Sequence, residues 1–177
     1  MIKQARPNTS VDDIQVIDNS RFMEVGGRWR AKSGGFLTVQ FALPKEVIGA
    51  LLDYDNPAFD QVEEESGVDI RGLRSYQVEG IPQGSIGGQE WHRARTEYVT
   101  ALAGSALWQC VDPSGREREF VLDGRTAVLQ PPGILHTYEA LEDDTRLEVV
   151  CNTLFIPDNK KTHDTFPAAE FAQPRTA

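Results

Sequence analysis

The plainest pattern in the chain is short alternation of apolar and polar positions. In the stretch 146–155, Leu147, Val149 and Cys151 alternate with Glu148, Val150 and Asn152, the period of two of a strand with one face packed inward. Stretches of similar length and composition recur from residue 74 onward and predict strands at 75–79, 97–103, 106–111, 118–122, 126–129, 137–141 and 146–155. The breaks between them hold Asp112-Pro113-Ser114-Gly115, Asp123-Gly124, Pro131-Pro132-Gly133 and Glu142-Asp143-Asp144, all turn-forming compositions. Many short strands at close spacing predict an all-β sandwich or barrel.

The N-terminal part reads differently. Residues 1–30 are expected to form a loose arm with one short apolar run, Ile14 to Ile17. Residues 35–41 are rich in β-formers and are expected to form a strand. Pro44 then opens a helical segment in which Val47, Ile48, Leu51 and Leu52 share a face. The acidic stretch 53–70, with Glu63-Glu64-Glu65-Ser66-Gly67, is expected to be a solvated loop or short helix. The organisation is then one barrel over 31–166, with an insertion at 44–70 carrying a short helix, and an irregular tail at 167–177.

At 177 residues the chain suits one core. Its net charge of −9 argues against a polyanion-binding surface, so nucleic acid is not an expected partner. No run approaches the roughly 20 apolar residues that span a bilayer, so no membrane association is expected. The polar start lacks the apolar stretch of a signal peptide, which points to the cytoplasm. Cys110 and Cys151 form no C-x-x-C pair and are expected to be buried and reduced.

The chemistry-bearing residues fall into two clusters. Gly84 to Gly104 reads G-x5-E-x-H-x4-E-x6-G, and Pro131 to His136 reads P-x-G-x2-H. Glu90 and His92, two apart on a strand, can point the same way. Glu97, five residues on, would face away unless a turn falls within 93–96. His136 arrives from a different strand. Two imidazoles and a carboxylate with open positions suit a divalent first-row metal, with iron, zinc, nickel and manganese not distinguished. A lone His is ordinarily just a hydrogen-bonded polar residue; here His92 and His136 match together with Glu97, Gly104 and Gly133. Glu90 has three readings: a fourth ligand, a general base with its pKa raised toward neutrality, or the ion-pair partner of Arg93 or Arg95. His163 has no such context and is expected at the surface.

These motifs resemble the two motifs of cupin barrels, with Glu90 where the first His usually stands. From about residue 74 to 171 the chain resembles the RmlC-like cupins of nucleotide-sugar metabolism: dTDP-4-dehydrorhamnose 3,5-epimerases, dTDP-sugar ketoisomerases and the cupin half of capsular-polysaccharide enzymes. Ser75-Tyr76-Gln77-Val78, Gly87-Gly88-Gln89-Glu90-Trp91-His92, Glu97-Tyr98-Val99, Pro131 to His136, and Asn152 to Phe166 carry the likeness. Gly34-Gly35-Phe36-Leu37 is similar to the strand that opens those barrels. The resemblance implies a double-stranded β-helix (a jelly-roll barrel), a homodimer with the N-terminal arm exchanged, and a divalent metal held by His92, Glu97, His136 and Glu90. It further implies epimerisation or isomerisation of a keto sugar or sugar-nucleotide derivative. Glu90 would be the catalytic base, Tyr98 and Tyr138 the candidate acids, and Arg74, Arg95 and Trp108 the substrate contacts. The phosphate-contacting Arg of those families is replaced by Gly87, for which Arg71, Arg74, Arg93 or Arg95 would have to compensate. The alternatives are a metal-dependent cupin dioxygenase or lyase, and a small-ligand binder without chemistry.

Overall fold

A computed structural model describes residues 9–21 and 28–171. Two five-stranded antiparallel sheets face each other. The first has the order β1 (Gln15–Asp18), β9 (Thr126–Gln130), β6 (Glu97–Ala103), β11 (Thr145–Thr153), β4 (Arg71–Ile81). The second has β12 (Phe166–Pro167), β5 (Ile86–Trp91), β10 (Leu135–Ala140), β7 (Ala106–Val111), β8 (Glu117–Leu122). The core lies between them, with Val99, Ala101, Trp108, Cys110, Leu122, Val128, Ile134, Leu147 and Val149 all buried. Each such side chain withdraws enough apolar surface to stabilise the fold by about 1.5–3 kcal/mol relative to exposure.

The period of two decides what each face does. On β6, Val99 and Ala101 enter the core, while Tyr98 points the other way and joins Ala127, Leu129 and Val150 beneath α1 (Lys45–Leu51). Val47 and Leu51 of that helix, both fully buried, cover this outer patch. The acidic stretch forms α2 (Ala58–Ser66), whose Phe59 and Val62 pack on Ile70 and Ala94 while its glutamates face water. It ends on Gly67 at φ 74°, a left-handed cap that a side chain would strain. Among the described residues no helix is long and apolar enough to cross a membrane.

Four expectations need adjusting. The stretch 9–18 is no loose arm: Val11 and Ile14 are buried in the main core, and β1 pairs with β9 from Gln15↔Leu129 to Asp18↔Thr126. The strand expected at 35–41 is short, β3 (Phe36–Thr38). It pairs with β2 (Arg28–Arg30) in a separate exposed ribbon and does not open the barrel. Residues 86–91 form a strand that the pattern missed, because Gly87 and Gly88 break the apolar alternation. In the tail, Phe166–Pro167 pairs with β5, so the closing segment belongs to the second sheet. Residues 172–177 of the expected tail, and 1–8 and 22–27 of the expected arm, lie outside the described residues.

Candidate functional site

The ends of three strands deliver four ionisable side chains to one point inside the barrel. Glu90 is the penultimate residue of β5 and stands opposite His136 of β10. His92 follows directly, its carbonyl accepting a hydrogen bond from Gly133 N–H at 2.8 Å. Glu97 opens β6. His92 Nε2 lies 3.5 Å from Glu97 Oε2 and 3.9 Å from Glu90 Oε1, and His136 Nε2 lies 3.8 Å and 3.9 Å from the same two oxygens. Three of the four side chains are 1–3% exposed; Glu90, at 32%, is the member that reaches solvent.

The turn required between His92 and Glu97 is present, and its hydrogen bonding explains it. Backbone N–H groups of Arg93, Ala94 and Arg95 donate to the Asp164 carboxylate at 3.2, 2.9 and 3.1 Å. The Asp164 carbonyl also accepts from His92 Nδ1 at 2.7 Å. Asp164 itself sits at φ 42°, a left-handed conformation that Asp tolerates. A second irregularity lies in β5, where Gly88 and Gln89 take φ values of 75° and 60° and the register against β10 shifts at His136/Thr137. This bulge re-aims Glu90 toward the two imidazoles.

Electrostatics divide the cluster. Burial opposes ionisation of Glu97, but His92, His136 and Arg95 outweigh it and hold that carboxyl well below the usual range. Arg95 Nη1 lies 3.3 Å from Glu97 Oε1, and although burial works against its charge, Glu97 keeps the guanidinium firmly protonated. Glu90 goes the other way: burial, helped by the neighbouring Glu97 charge, raises its pKa against the opposing pull of His92 and Arg95. Burial lowers His136 to about 4 despite the attraction of Glu97, so the ring is neutral at pH 7. Tyr138 is raised by burial and by Glu90 and stays a phenol.

The remaining expected residues separate into those the fold brings to the centre and those it does not. Trp108 stacks on His136 with ring centroids 4.9 Å apart, and Tyr138 continues the stack 6.2 Å beyond Trp108. Arg95 belongs to the centre itself. Arg74 lies on the rim of a cavity of about 590 Å³ lined by Arg74, Tyr76, Arg95, Phe155, His163 and Thr165. Among the described residues its Nε is buried without a hydrogen-bond partner, its Nη2 lies 3.5 Å from the Cys151 sulfur, and the guanidinium sits over the rings of Tyr76 and Phe155. Tyr98 is the correction: it is fully buried under α1, its hydroxyl donating to Asn19 Oδ1 at 2.8 Å, on the face of β6 opposite Glu97. It cannot reach a ligand. Arg93 is buried against Asp164 and Glu65 and is not the partner of Glu90. Arg71 is taken up by Asp60, Glu63 and Asp69. His163 is no plain surface residue, since its ring packs at a tilt against Phe155, centroids 4.5 Å apart, and lines the cavity. Cys110 and Cys151 are free and buried, as expected.

Three functional neighbours escaped the sequence pattern: Asp164, Gln130 and Tyr76. Gln130 is 1% exposed and bonds both Trp108 and His136. Tyr76 donates to Glu97 Oε1 at 3.3 Å and links the cavity to the centre. Their partners are far away in sequence, so spacing carried no signal of them; only the inward phase of Tyr76 on an alternating strand pointed to it.

As a donor set the cluster has the composition of a metal site, and one atom each from Glu90, His92 and His136 lie within 4.8 Å of one another. Its hydrogen bonding does not suit an ion. Arg95 Nη1 stands 3.4 Å from His92 Nε2 as well as 3.3 Å from Glu97 Oε1. A guanidinium has only hydrogens to offer, so at His92 Nε2 and Glu97 Oε1 it competes with an ion for the lone pairs and already supplies positive charge there.

No protein-family model matches the sequence, and no curated protein matches it. Solved structures do. A dTDP-6-deoxy-D-glucose-3,5-epimerase from Legionella pneumophila, bound to dTDP-4-keto-L-rhamnose, is similar at TM-score 0.50 and 17% identity, covering 86% of this chain and 73% of that one. A dTDP-4-dehydrorhamnose 3,5-epimerase from Bacillus anthracis gives 0.53 and 17%, over 85% and 78% of the two chains. A sugar 3,4-ketoisomerase from Thermoanaerobacterium thermosaccharolyticum, in complex with TDP, gives 0.51 and 13%, over 89% of both chains. At these identities the likeness establishes architecture, and the two facing antiparallel sheets with their inward centre have the RmlC-like cupin fold.

Proposed function

We propose that this protein epimerises or isomerises a small keto sugar, or a related oxygenated ketone carrying an anionic group, by proton transfer. The observation that carries this reading is the division inside one cluster. Glu97 is locked as an anion by Arg95, while Glu90, beside it and open to solvent, has a raised pKa. Two carboxyls whose environments push them apart are the signature of assigned acid–base roles. Glu90 removes the proton on the carbon beside the ketone, the bonding pair moves into an enolate, and a proton returns to carbon from the opposite side. Tyr138, kept neutral, is the acid for that return. Fold likeness to sugar-nucleotide epimerases and ketoisomerases supports the same chemistry.

The substrate class follows from Arg74. A guanidinium whose Nε has no hydrogen-bond partner among the described residues, on a cavity faced by Tyr76 and Phe155, favours an anionic ligand with a flat or apolar flank. A nucleotide diphosphate is disfavoured at the position of the missing Arg. A Cβ at Gly87 would fall 2.2 Å from the Tyr138 ring, which fills that space. The test is solvent deuterium exchange into a panel of keto sugars, free and nucleotide-linked. The expected result is exchange that falls about 10²–10⁴-fold in Glu90→Gln, the range for a lost general base. Exchange undiminished in that variant, or none with any ketone, overturns the proposal.

A further inference from the structure

Gln130 lies at the base of the centre, and its amide is held at both ends. Its Oε1 accepts from Trp108 Nε1 at 3.0 Å and from the Cys110 thiol at 3.3 Å. An indole N–H is a donor only, so the amide oxygen must face Trp108. The amide nitrogen therefore faces His136, with Nε2 2.8 Å from the ring Nδ1. That nitrogen carries only hydrogens. A proton on His136 Nδ1 would set two N–H groups against each other at hydrogen-bond distance. With Gln130 as the partner of Nδ1, the ring's proton lies on Nε2, pointing at Glu90 and Glu97. The Ile134 carbonyl beside the same ring is the rival partner for Nδ1, and donation to it would define the opposite tautomer.

His92 is set the other way. Its Nδ1–H donates to the Asp164 carbonyl at 2.7 Å, and its Nε2 receives the Arg95 guanidinium at 3.4 Å. The two rings, with centroids 5.3 Å apart, thus present unlike atoms to the same point.

We propose that Gln130 is a positioning residue that fixes His136 as the Nε2–H tautomer, so that the paired imidazoles face the centre as one acceptor and one donor and not as two metal ligands. This deepens the proton-transfer reading, on which it rests only for what the donor serves: a hydrogen bond to the oxygen of the developing enolate. The chain Trp108–Gln130–His136 is then a relay of orientation. Trp108 fixes the amide, the amide fixes the tautomer, and the stacked indole fixes the ring plane.

The test reads nitrogen protonation directly. In long-range ¹H–¹⁵N spectra of the wild-type protein at pH 7, His136 is expected to show a bare Nδ1 and a protonated Nε2, and His92 the reverse. Gln130→Glu replaces the donor with a second acceptor and should reverse His136 alone. That variant should also bind Co²⁺ at least tenfold more tightly than wild type, followed by the ion's visible absorption. A wild-type His136 protonated on Nδ1, or wild-type protein that takes one Co²⁺ per chain as tightly as Gln130→Glu, overturns the assignment. The wild-type spectrum decides even where the variant does not fold. Expected tautomers with no deuterium exchange into any ketone would remove the functional reading and leave this one standing, and the converse pattern would remove this one alone.

Discussion

Neutralising Glu97 should be the most damaging conservative change in the barrel. Glu97→Gln keeps the shape and the hydrogen-bonding length of the side chain but deletes its charge. Arg95, 5% exposed, then loses the carboxylate 3.3 Å away. Its other hydrogen-bond partners among the described residues are neutral, the oxygens of Thr153, His163 and Thr165 and the ring nitrogen of His92. The remaining carboxylates that act on it are Asp164, whose oxygens are already committed to three backbone N–H groups, and Glu90, which is open to solvent. Breaking a buried pair by removing one partner costs about 3–5 kcal/mol, because the surviving charge stays desolvated. For a domain of this size that corresponds to a fall in Tm of about 6–20 °C. Removing both charges in Arg95→Met/Glu97→Gln should recover part of the loss, giving a coupling of about 1–3 kcal/mol in a double-mutant cycle. Urea unfolding at pH 7, followed by tryptophan fluorescence, measures each corner. A loss below 1 kcal/mol for Glu97→Gln, or a double variant as unstable as the two single losses added together, would refute the claim that Arg95 and Glu97 form one buried unit.

Other consequences follow from the same geometry. His136 has a folded pKa of about 4 against an ordinary 6.5, so its contribution is fully present above pH 6.5 and is lost as pH falls toward 4. The loss should reach about 3 kcal/mol across that window and should flatten in His136→Gln, as read from urea midpoints at several pH values. Tyr98→Phe should cost about 1–2 kcal/mol by orphaning Asn19 Oδ1 and leave deuterium exchange unchanged; a fall in exchange would return Tyr98 to the reaction. Gly87→Ala should push the Tyr138 ring aside for less than about 1 kcal/mol, since the clash is with the far edge of a half-exposed side chain. Its exchange rate should fall as far as that of Tyr138→Phe, and full exchange in Gly87→Ala would exclude Tyr138 as the acid.

Much of this arrangement is legible in the sequence. Alternation named the strands of the barrel, and motif spacing named Glu90, His92, Glu97 and His136 as one group. Even the turn between His92 and Glu97 was required by parity alone. What parity could not supply was phase across irregularities. Tyr98 follows Glu97 directly and so faces α1, a consequence available only once Glu97 is known to point inward. The Gly88–Gln89 bulge hid β5 because two positive-φ residues interrupt its pattern. The burial of the arginines is hidden for a different reason. Arg93 and Arg95 look like a polar turn, but each is 5% exposed, because Glu65, Glu97 and Asp164 come from distant segments to neutralise them. Long-range charge pairing leaves no local periodicity to read.

Asp164 shows how the closing segment makes the centre possible. An unbroken strand from Glu90 to Glu97 would satisfy its backbone by ladder pairing but would send Glu97 to the outer face with Tyr98 inside. Breaking it at 93–95 frees three consecutive N–H groups within a buried turn, and each would cost about 1–3 kcal/mol left unmet. One carboxylate meets all three, and a negative charge is the right partner for a run of backbone donors. The carbonyl of the same residue then orients His92, and two residues on, Phe166–Pro167 pairs with β5 and packs the Phe166 ring at a tilt against Trp91, centroids 4.9 Å apart. The inversion of face, the tautomer of His92 and the closure of the second sheet therefore depend on one anchored residue. The site is as much a product of the last strand as of the two motifs that announce it.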